Sequence, residues 1–294
     1  LLQEILVKRV NWNIKDKEDV IDNALNRYRR FLEQLGRRSS TINSYSILVE
    51  KYLKFAGTDR PSNKELQAYR EHIFDKHWSR STLNNSAFAV TAYHKMLGEK
   101  VKIPILSRND TLPFYFNQDE IERIFAVINN LKHLCMFQVL FCGCLRASEL
   151  CNLDDTDIDL DNLIIRIREG KGGRDGYAFL THECVHNLKH YLAIRPPLKI
   201  DDRQPLFYTE FGNRWKPTSI NGIFTDYKVK AGIEKLGGTH VFGRHSAATM
   251  MTAKGVPLNI VQNLLRHKDI RSTMRYAHVD SVIARDWYNR AMQI

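Results

Sequence analysis

Three segments of this chain combine arginine, histidine and tyrosine in a way that suits work on a phosphate group. Arg146 lies in Gly143-Cys144-Leu145-Arg146-Ala147-Ser148-Glu149-Leu150, and Arg244 in Thr239-His240-Val241-Phe242-Gly243-Arg244-His245. His267 and Tyr276 belong to a third segment and stand nine residues apart. Guanidinium groups are planar, bidentate and always charged, which matches phosphate oxygens. Other chemistries fit poorly. A calcium loop starting at Asp155 would need Gly and Glu at its sixth and twelfth positions, which here are Leu160 and Arg166. Gly170-Lys171-Gly172 lacks the earlier Gly and following Ser or Thr of a P-loop. No H-E-x-x-H or acidic cluster points to metal-assisted hydrolysis, so no metal, nucleotide or other cofactor is expected. Taken singly, each residue has an ordinary alternative. Lys171 reads as a solvated turn lysine, the arginines as structural ion-pair residues, and Tyr276 as one of twelve tyrosines.

Composition narrows the partner. Lys and Arg number 44 against 33 acidic residues, a net charge of +11 that favours a polyanion, most simply nucleic acid. No apolar run approaches the roughly 18 residues of a membrane span, and no secretory pattern opens the chain. The five cysteines are odd in number and show no C-x-x-C spacing. Cys135, Cys142, Cys144 and Cys151 fall in the apolar stretch Leu134–Leu153 and read as small core residues. Reduced thiols fit a cytoplasmic protein, nucleoid-associated when bound to DNA.

The elements that must position these residues divide into two groups. Residues 1–17 read as an N-terminal extension and 18–100 as a helical bundle. Val20, Ala24, Tyr28 and Leu32 recur at helical spacing. Ser39-Ser40-Thr41, Pro61-Ser62 and Ser79-Arg80-Ser81-Thr82 open three further helices. Residues 101–113 read as a linker, and a second domain runs over 114–280. There, two largely helical stretches precede a change of period. Leu163–Arg168 and Tyr177–Leu180 read as strands joined by a hairpin tip that carries Lys171. The remainder is helical, ending in a helix over 281–294 with Val282, Ile283, Trp287, Tyr288 and Met292 as a docking face. The expected fold class is mainly α with a small antiparallel β-sheet.

At its basic segments the sequence strongly resembles the tyrosine recombinase (phage integrase) family. Residues 143–150 match the family's G-L-R-x-S-E-L box, the hairpin its G-K-G-x-K/R box, residues 240–249 its H-x-x-R-H-x-x-A-T box, and 264–276 its L-G-H-x-x-x-x-T-x-x-Y box. Four boxes in order are specific, and the resemblance covers nearly the whole chain. It implies a helical core-binding domain followed by an α+β catalytic domain. It also implies a site-specific DNA recombinase that cuts and rejoins strands through a 3′-phosphotyrosyl intermediate in integration, excision or resolution. Alternatives are a type IB topoisomerase-like activity, or a catalytically impaired DNA-binding protein of the same fold. In the family's scheme Tyr276 is the nucleophile, and Arg146 and Arg244 hold the non-bridging phosphate oxygens. Lys171 protonates the departing 5′-oxygen, His240 assists proton transfer at Tyr276, and His267 donates to a phosphate oxygen. Glu149, one turn after Arg146, is placed to orient that arginine.

The sequence departs from the family pattern at three places. Three residues, Val241-Phe242-Gly243, separate His240 from Arg244 where the family has two. Either a residue is inserted or Val241 takes the histidine position, and Gly243 is suited to absorb a bulge. Cys144 and Arg266 replace the glycines of the first and last boxes. The implied partner is double-stranded DNA with an inverted-repeat core site, gripped by both domains and recombined by a homo-tetramer through a Holliday junction. Phosphate contacts are expected from Arg37, Arg38, Arg80, Arg214, Lys216 and Arg266, with the helix after Ser79 entering the major groove. The short extension before residue 18 leaves no room for the arm-binding domain of some phage integrases, which favours Xer- or transposon-resolvase-like two-domain members.

Overall fold

The computed structural model describes residues 2–107, 114–168, 175–276, 288, 289 and 292, with side chains from residue 18 onward. Two compact units divide the chain, Leu1–Asn109 and Asp110–Ile294.

In the first unit, α1 (Leu2–Gln34), α2 (Ser39–Ala56), α3 (Asn63–Asp75) and α4 (Arg80–Met96) enclose one core. The first helix starts at Leu2, well before the position 18 expected from hydrophobic periodicity. No Gly or Pro interrupts Leu2–Gln34, so nothing in the backbone stops the helix earlier. Val20 is exposed, and its neighbour Ile21 takes the inward position with Ala24, Leu25, Tyr28 and Leu32. Ser62 and Glu65 form a capping box at α3, and Ser79 accepts the amide of Thr82 at α4. Two of the buried tyrosines keep their hydroxyls bonded. Tyr28 donates to the Ala89 carbonyl at 2.8 Å, and Tyr93 to that of Asp59 at 2.6 Å.

In the second unit, α5 (Gln118–Ala126), α6 (Leu131–Cys142) and α7 (Ala147–Cys151) precede a sheet of β1 (Ile158–Asp159), β2 (Ile164–Ile167) and β3 (Gly176–Phe179). The strands are antiparallel in order β1-β2-β3, with Ile165 opposite both Ile158 and Ala178. Period-two alternation buries Ile165, Ile167 and Ala178 and leaves Arg166, Tyr177 and Phe179 outside. Next come α8 (His182–Ile194), α9 (Pro217–Lys230), a π-helical turn over Val241–Ser246, α10 (Ala247–Ala253), α11 (Leu258–Leu264) and α12 (Arg271–Met274). Phe116, Phe137, Phe224 and Phe242 lie fully buried where α6, α9 and the π turn meet. Cys135, Cys144, Cys151 and Cys184 are buried free thiols and Cys142 is half-buried. No described helix is long and apolar enough to cross a membrane.

Candidate active site

The π turn positions the second arginine. Its helix begins at Thr239, whose amide donates to Asn221 Oδ1 on α9 at 3.0 Å. A Cβ on Gly238 would lie 2.1 Å from that oxygen, so the approach requires glycine. The extra residue between His240 and Arg244 is taken up as one π turn, the usual form of a single-residue insertion in a helix. Ser246 closes it. Its hydroxyl donates to the Val241 carbonyl at 3.0 Å and accepts the Phe116 amide at 2.8 Å. Gly243 faces α6, where a Cβ would meet Leu140 Cγ at 2.9 Å. Arg244 is 1% exposed. Its guanidinium donates to the Cys144 carbonyl at 2.7 Å and to the Leu265 carbonyl, tying together the ends of α6 and α11.

Arg146 is the residue before α7. The Glu149 carboxylate accepts both its backbone amide at 2.8 Å and its guanidinium at 2.5 Å. Arg266 adds a second cation to Glu149 at 3.0 Å. Burial alone would raise the Glu149 carboxyl, but Arg266 and Arg146 hold it below the ordinary range.

Tyr276 follows α12 and is 6% exposed, packed with Cys144, Ala247, Ala248, Val261 and Leu265. Its hydroxyl lies 2.5 Å from Nδ1 of His245. The rings of His240 and His245 stand perpendicular, 4.9 Å between centroids. His267 Nδ1 is 2.9 Å from the hydroxyl of the buried Thr273, whose carbonyl accepts the Tyr276 amide at 2.9 Å. Burial raises the Tyr276 hydroxyl, while Arg275 and Arg244 pull it down. All three histidines are depressed to about 4, first by desolvation and then by neighbouring charge, Arg244 and Arg146 acting on both His240 and His267. His240 nonetheless keeps an exposed face. Burial beside Arg146 lowers even Arg244, to about 10, which still leaves it charged at neutral pH. The described residues thus form a cluster of permanent cations and neutral imidazoles around one tyrosine hydroxyl. That arrangement can bind an anion and take up a proton. Among the described residues, no three His, Cys, Asp or Glu side chains converge as metal ligands.

The sequence profile described as the phage integrase family matches residues 115–282, more than half of the chain. The chain belongs to the phage integrase family of tyrosine recombinases. It is 28% identical to the tyrosine recombinase XerA of Pyrococcus horikoshii over 96% of this chain and 98% of that one. A crystal structure of XerA recombinase superposes with a TM-score of 0.54 at 28% identity, covering 93% of this chain and 99% of that one. The Tn1549 transposon integrase, solved in complex with transposon right end DNA, shares the fold with a TM-score of 0.72 at 18% identity, covering 91% and 99%.

Within this phage integrase fold, the two glycine replacements turn out to be linked. Cys144 and Arg266 both adopt left-handed backbone, at φ 48° and 53°, the region that favours glycine. The Arg266 guanidinium donates to the Cys144 carbonyl at 2.9 Å, beside the bond from Arg244. Arg266 was expected to contact phosphate. Its guanidinium bonds Glu149 and the carbonyls of Gly143, Cys144 and Leu264. Arg214 likewise ion-pairs with the buried Asp154 and reaches the Cys151 and Leu153 carbonyls, so its head group faces the protein. Lys216 is exposed at the start of α9. In the first unit Arg37 and Arg38 are exposed between α1 and α2, and Arg80 is exposed at the start of α4. Lys171 lies outside the described residues, as does most of 281–294, of which Tyr288 and Met292 are described and exposed. Two participants escaped the sequence reading. His245, not His240, meets the Tyr276 hydroxyl, and Arg275 is the foremost cation opposing the rise that burial gives it. Adjacency to Arg244 was the available signal for the first. Adjacency to Tyr276 was the signal for the second.

Proposed function

We propose that this protein is a site-specific recombinase that cleaves duplex DNA with Tyr276 and rejoins it through a 3′-phosphotyrosyl intermediate. The observation that carries this reading is the buried Tyr276 hydroxyl bonded to an imidazole, which burial pushes up and which Arg275 and Arg244 partly pull back. Arg146 and Arg244 hold the non-bridging oxygens of the scissile phosphate, where charge grows in the transition state. His267, positioned by Thr273, donates to the same group. His240 lies beside them with its exposed face toward solvent. Lys171 protonates the departing 5′-oxygen, so that the Tyr276 oxygen displaces a neutral alcohol. Glu149 orients Arg146. Retaining the phosphate ester on tyrosine allows religation without a nucleotide cofactor. The substrate is double-stranded DNA with an inverted-repeat core, handled by four protomers on two sites, and the first unit with Arg37, Arg38 and Arg80 supplies backbone contacts.

The test begins with duplexes selected from a randomised library by retention on the protein. The protein is incubated with them and a denaturation-resistant adduct is sought. Wild type should form it and Tyr276→Phe should not. An adduct that survives Tyr276→Phe overturns the nucleophile assignment. Binding without any wild-type adduct overturns the enzymatic reading, and relaxation of supercoils without joining of two sites favours a topoisomerase.

A further inference from the structure

We propose that His245 is the group that takes the proton from Tyr276, and that the π turn before it is what places it there. The proposal rests on Tyr276 being the nucleophile.

Helix geometry carries the first half. His240 and His245 are five residues apart. In an α-helix each residue advances about 100°, so side chains five apart diverge by roughly 140°. A π turn repeats at i→i+5 and brings them onto one side. The perpendicular rings at 4.9 Å are the result. Had the extra residue between His240 and Arg244 been wound as ordinary α-helix, His245 would be rotated away from His240 by that angle, and the π turn instead restores the shared face that residues four apart have in an α-helix. The π turn therefore keeps His245 pointing to the side of His240. It is also firmly held, since the Ser246 hydroxyl bridges Val241 and Phe116 and Gly243 packs on Leu140.

Contact with the reacting atom carries the second half. Nδ1 of His245 is 2.5 Å from the Tyr276 oxygen, whereas the ring that His240 faces is that of His245. The groups facing His245 are His240, Arg244, Arg275 and His267, with Tyr276 itself. With desolvation, that positive surround keeps the imidazole neutral at neutral pH, and in the tautomer protonated on Nε2 its Nδ1 lone pair accepts from the Tyr276 hydroxyl. A bound phosphodiester brings negative charge into the same field, which favours the imidazolium. In the step, the Tyr276 O–H bond breaks and its proton passes to His245 Nδ1. The freed electron pair forms the O–P bond. The bond from phosphorus to the 5′-oxygen breaks, and that oxygen takes the proton of the general acid. Religation reverses each transfer, and His245 returns the proton to Tyr276.

Two measurements on the full chain test this. The first uses 15N-histidine NMR without DNA, with the His245 signals identified by their loss in His245→Gln. At neutral pH His245 should carry its proton on Nε2. Tyr276→Phe should raise its pKa, because the hydroxyl that favours the neutral ring is gone. A proton on Nδ1, or a response at His240 with none at His245, overturns the proposal. The second follows adduct formation on the library-selected duplexes. His245→Ala should slow it by about 100- to 10,000-fold, flatten its pH profile, and be partly rescued by imidazole in solution. His240→Ala should lose less and gain nothing from imidazole. If Tyr276→Phe is inactive but His245→Ala keeps the wild-type rate and pH profile, His245 is not the acceptor and the nucleophile reading stands. If Tyr276→Phe still forms adduct, the nucleophile reading itself falls.

Discussion

Replacing Arg266 separates two contributions that oppose each other at one position. Its guanidinium bonds Glu149 at 3.0 Å and the carbonyls of Cys144, Leu264 and Gly143 at 2.9, 3.0 and 3.2 Å. The paired side chains are 13% and 6% exposed. Breaking a pair this buried costs about 3–5 kcal/mol. Arg266 Nε is buried with no hydrogen-bond partner among the described residues, which trims the loss to about 2–4 kcal/mol. Arg266→Ala and Arg266→Gly remove the same contacts, so their difference isolates the backbone at φ 53°. Left-handed geometry costs a residue with a Cβ about 1–2 kcal/mol. The greater freedom of glycine in the unfolded chain returns about 0.4–1 kcal/mol of that. The glycine variant should therefore be more stable than the alanine variant by about 1 kcal/mol, while both lie below wild type. Urea unfolding of the three full-length proteins, with matched slopes, measures both gaps. An alanine variant as stable as the glycine variant would falsify the backbone argument. An alanine variant as stable as wild type would show that the clasp on Glu149 and Cys144 contributes nothing.

Other substitutions probe neighbouring features. Gly243→Ala places a Cβ 2.9 Å from Leu140 Cγ and 3.1 Å from its carbonyl oxygen. It should destabilise by about 1–3 kcal/mol and disturb the His245 signals in NMR spectra; unchanged spectra would contradict the packing described. Asp154→Asn removes the charge that Arg214 and Arg168 share. Because both arginines keep some solvent access, the loss in urea unfolding should be about 2–3 kcal/mol, below the full range for a buried pair, and no loss would mean the network is dispensable. Acid should destabilise the fold in a defined window. His240, His245 and His267 protonate near 4 in the folded protein, but near 6.5 when unfolded. Unfolding therefore takes up protons, so stability is fully present above about pH 6.5 and is lost as pH falls toward 4. Denaturation midpoints that rise on acidification through that interval would contradict this sign. Binding to the selected duplexes should fall steeply with salt, and an affinity insensitive to salt would argue against backbone contacts.

The elements were legible where local rules act alone. Ser62 and Ser79 cap helices that begin where those residues announce them. Alternation at Ile165 and Ile167 marked β2. The start of α1 was not legible from periodicity, because a helix without Gly or Pro can continue past its last inward-facing residue. Side-chain direction was not legible either. Arg214, Arg266, Lys216 and Arg37 are all basic residues in loops or at helix ends, yet two of them turn inward. Only the position of Asp154 and Glu149 in three dimensions separates the groups. A carboxylate that is 2% or 8% exposed needs a cation, and the nearest arginines supply it.

The site shows the same limit in a sharper form. Reading boxes by position assumes that a helix keeps its phase. One added residue turns an α-helix by about 100°, so everything beyond it would lose its facing unless the turn itself absorbs the insertion. Arg244 and His245 both keep their places because the π turn does so. The replaced glycines follow a parallel logic. A left-handed residue other than glycine persists only where surrounding bonds over-determine it. At Cys144 those bonds come from Arg244 and Arg266, both on its carbonyl. At Arg266 they come from its own side chain, which reaches back to Glu149 and so to the partner of Arg146. The two departures from the glycine pattern are therefore mutually supporting. The Arg266 side chain, standing where the family pattern has glycine, braces Glu149 and through it Arg146, and shares the Cys144 carbonyl with Arg244.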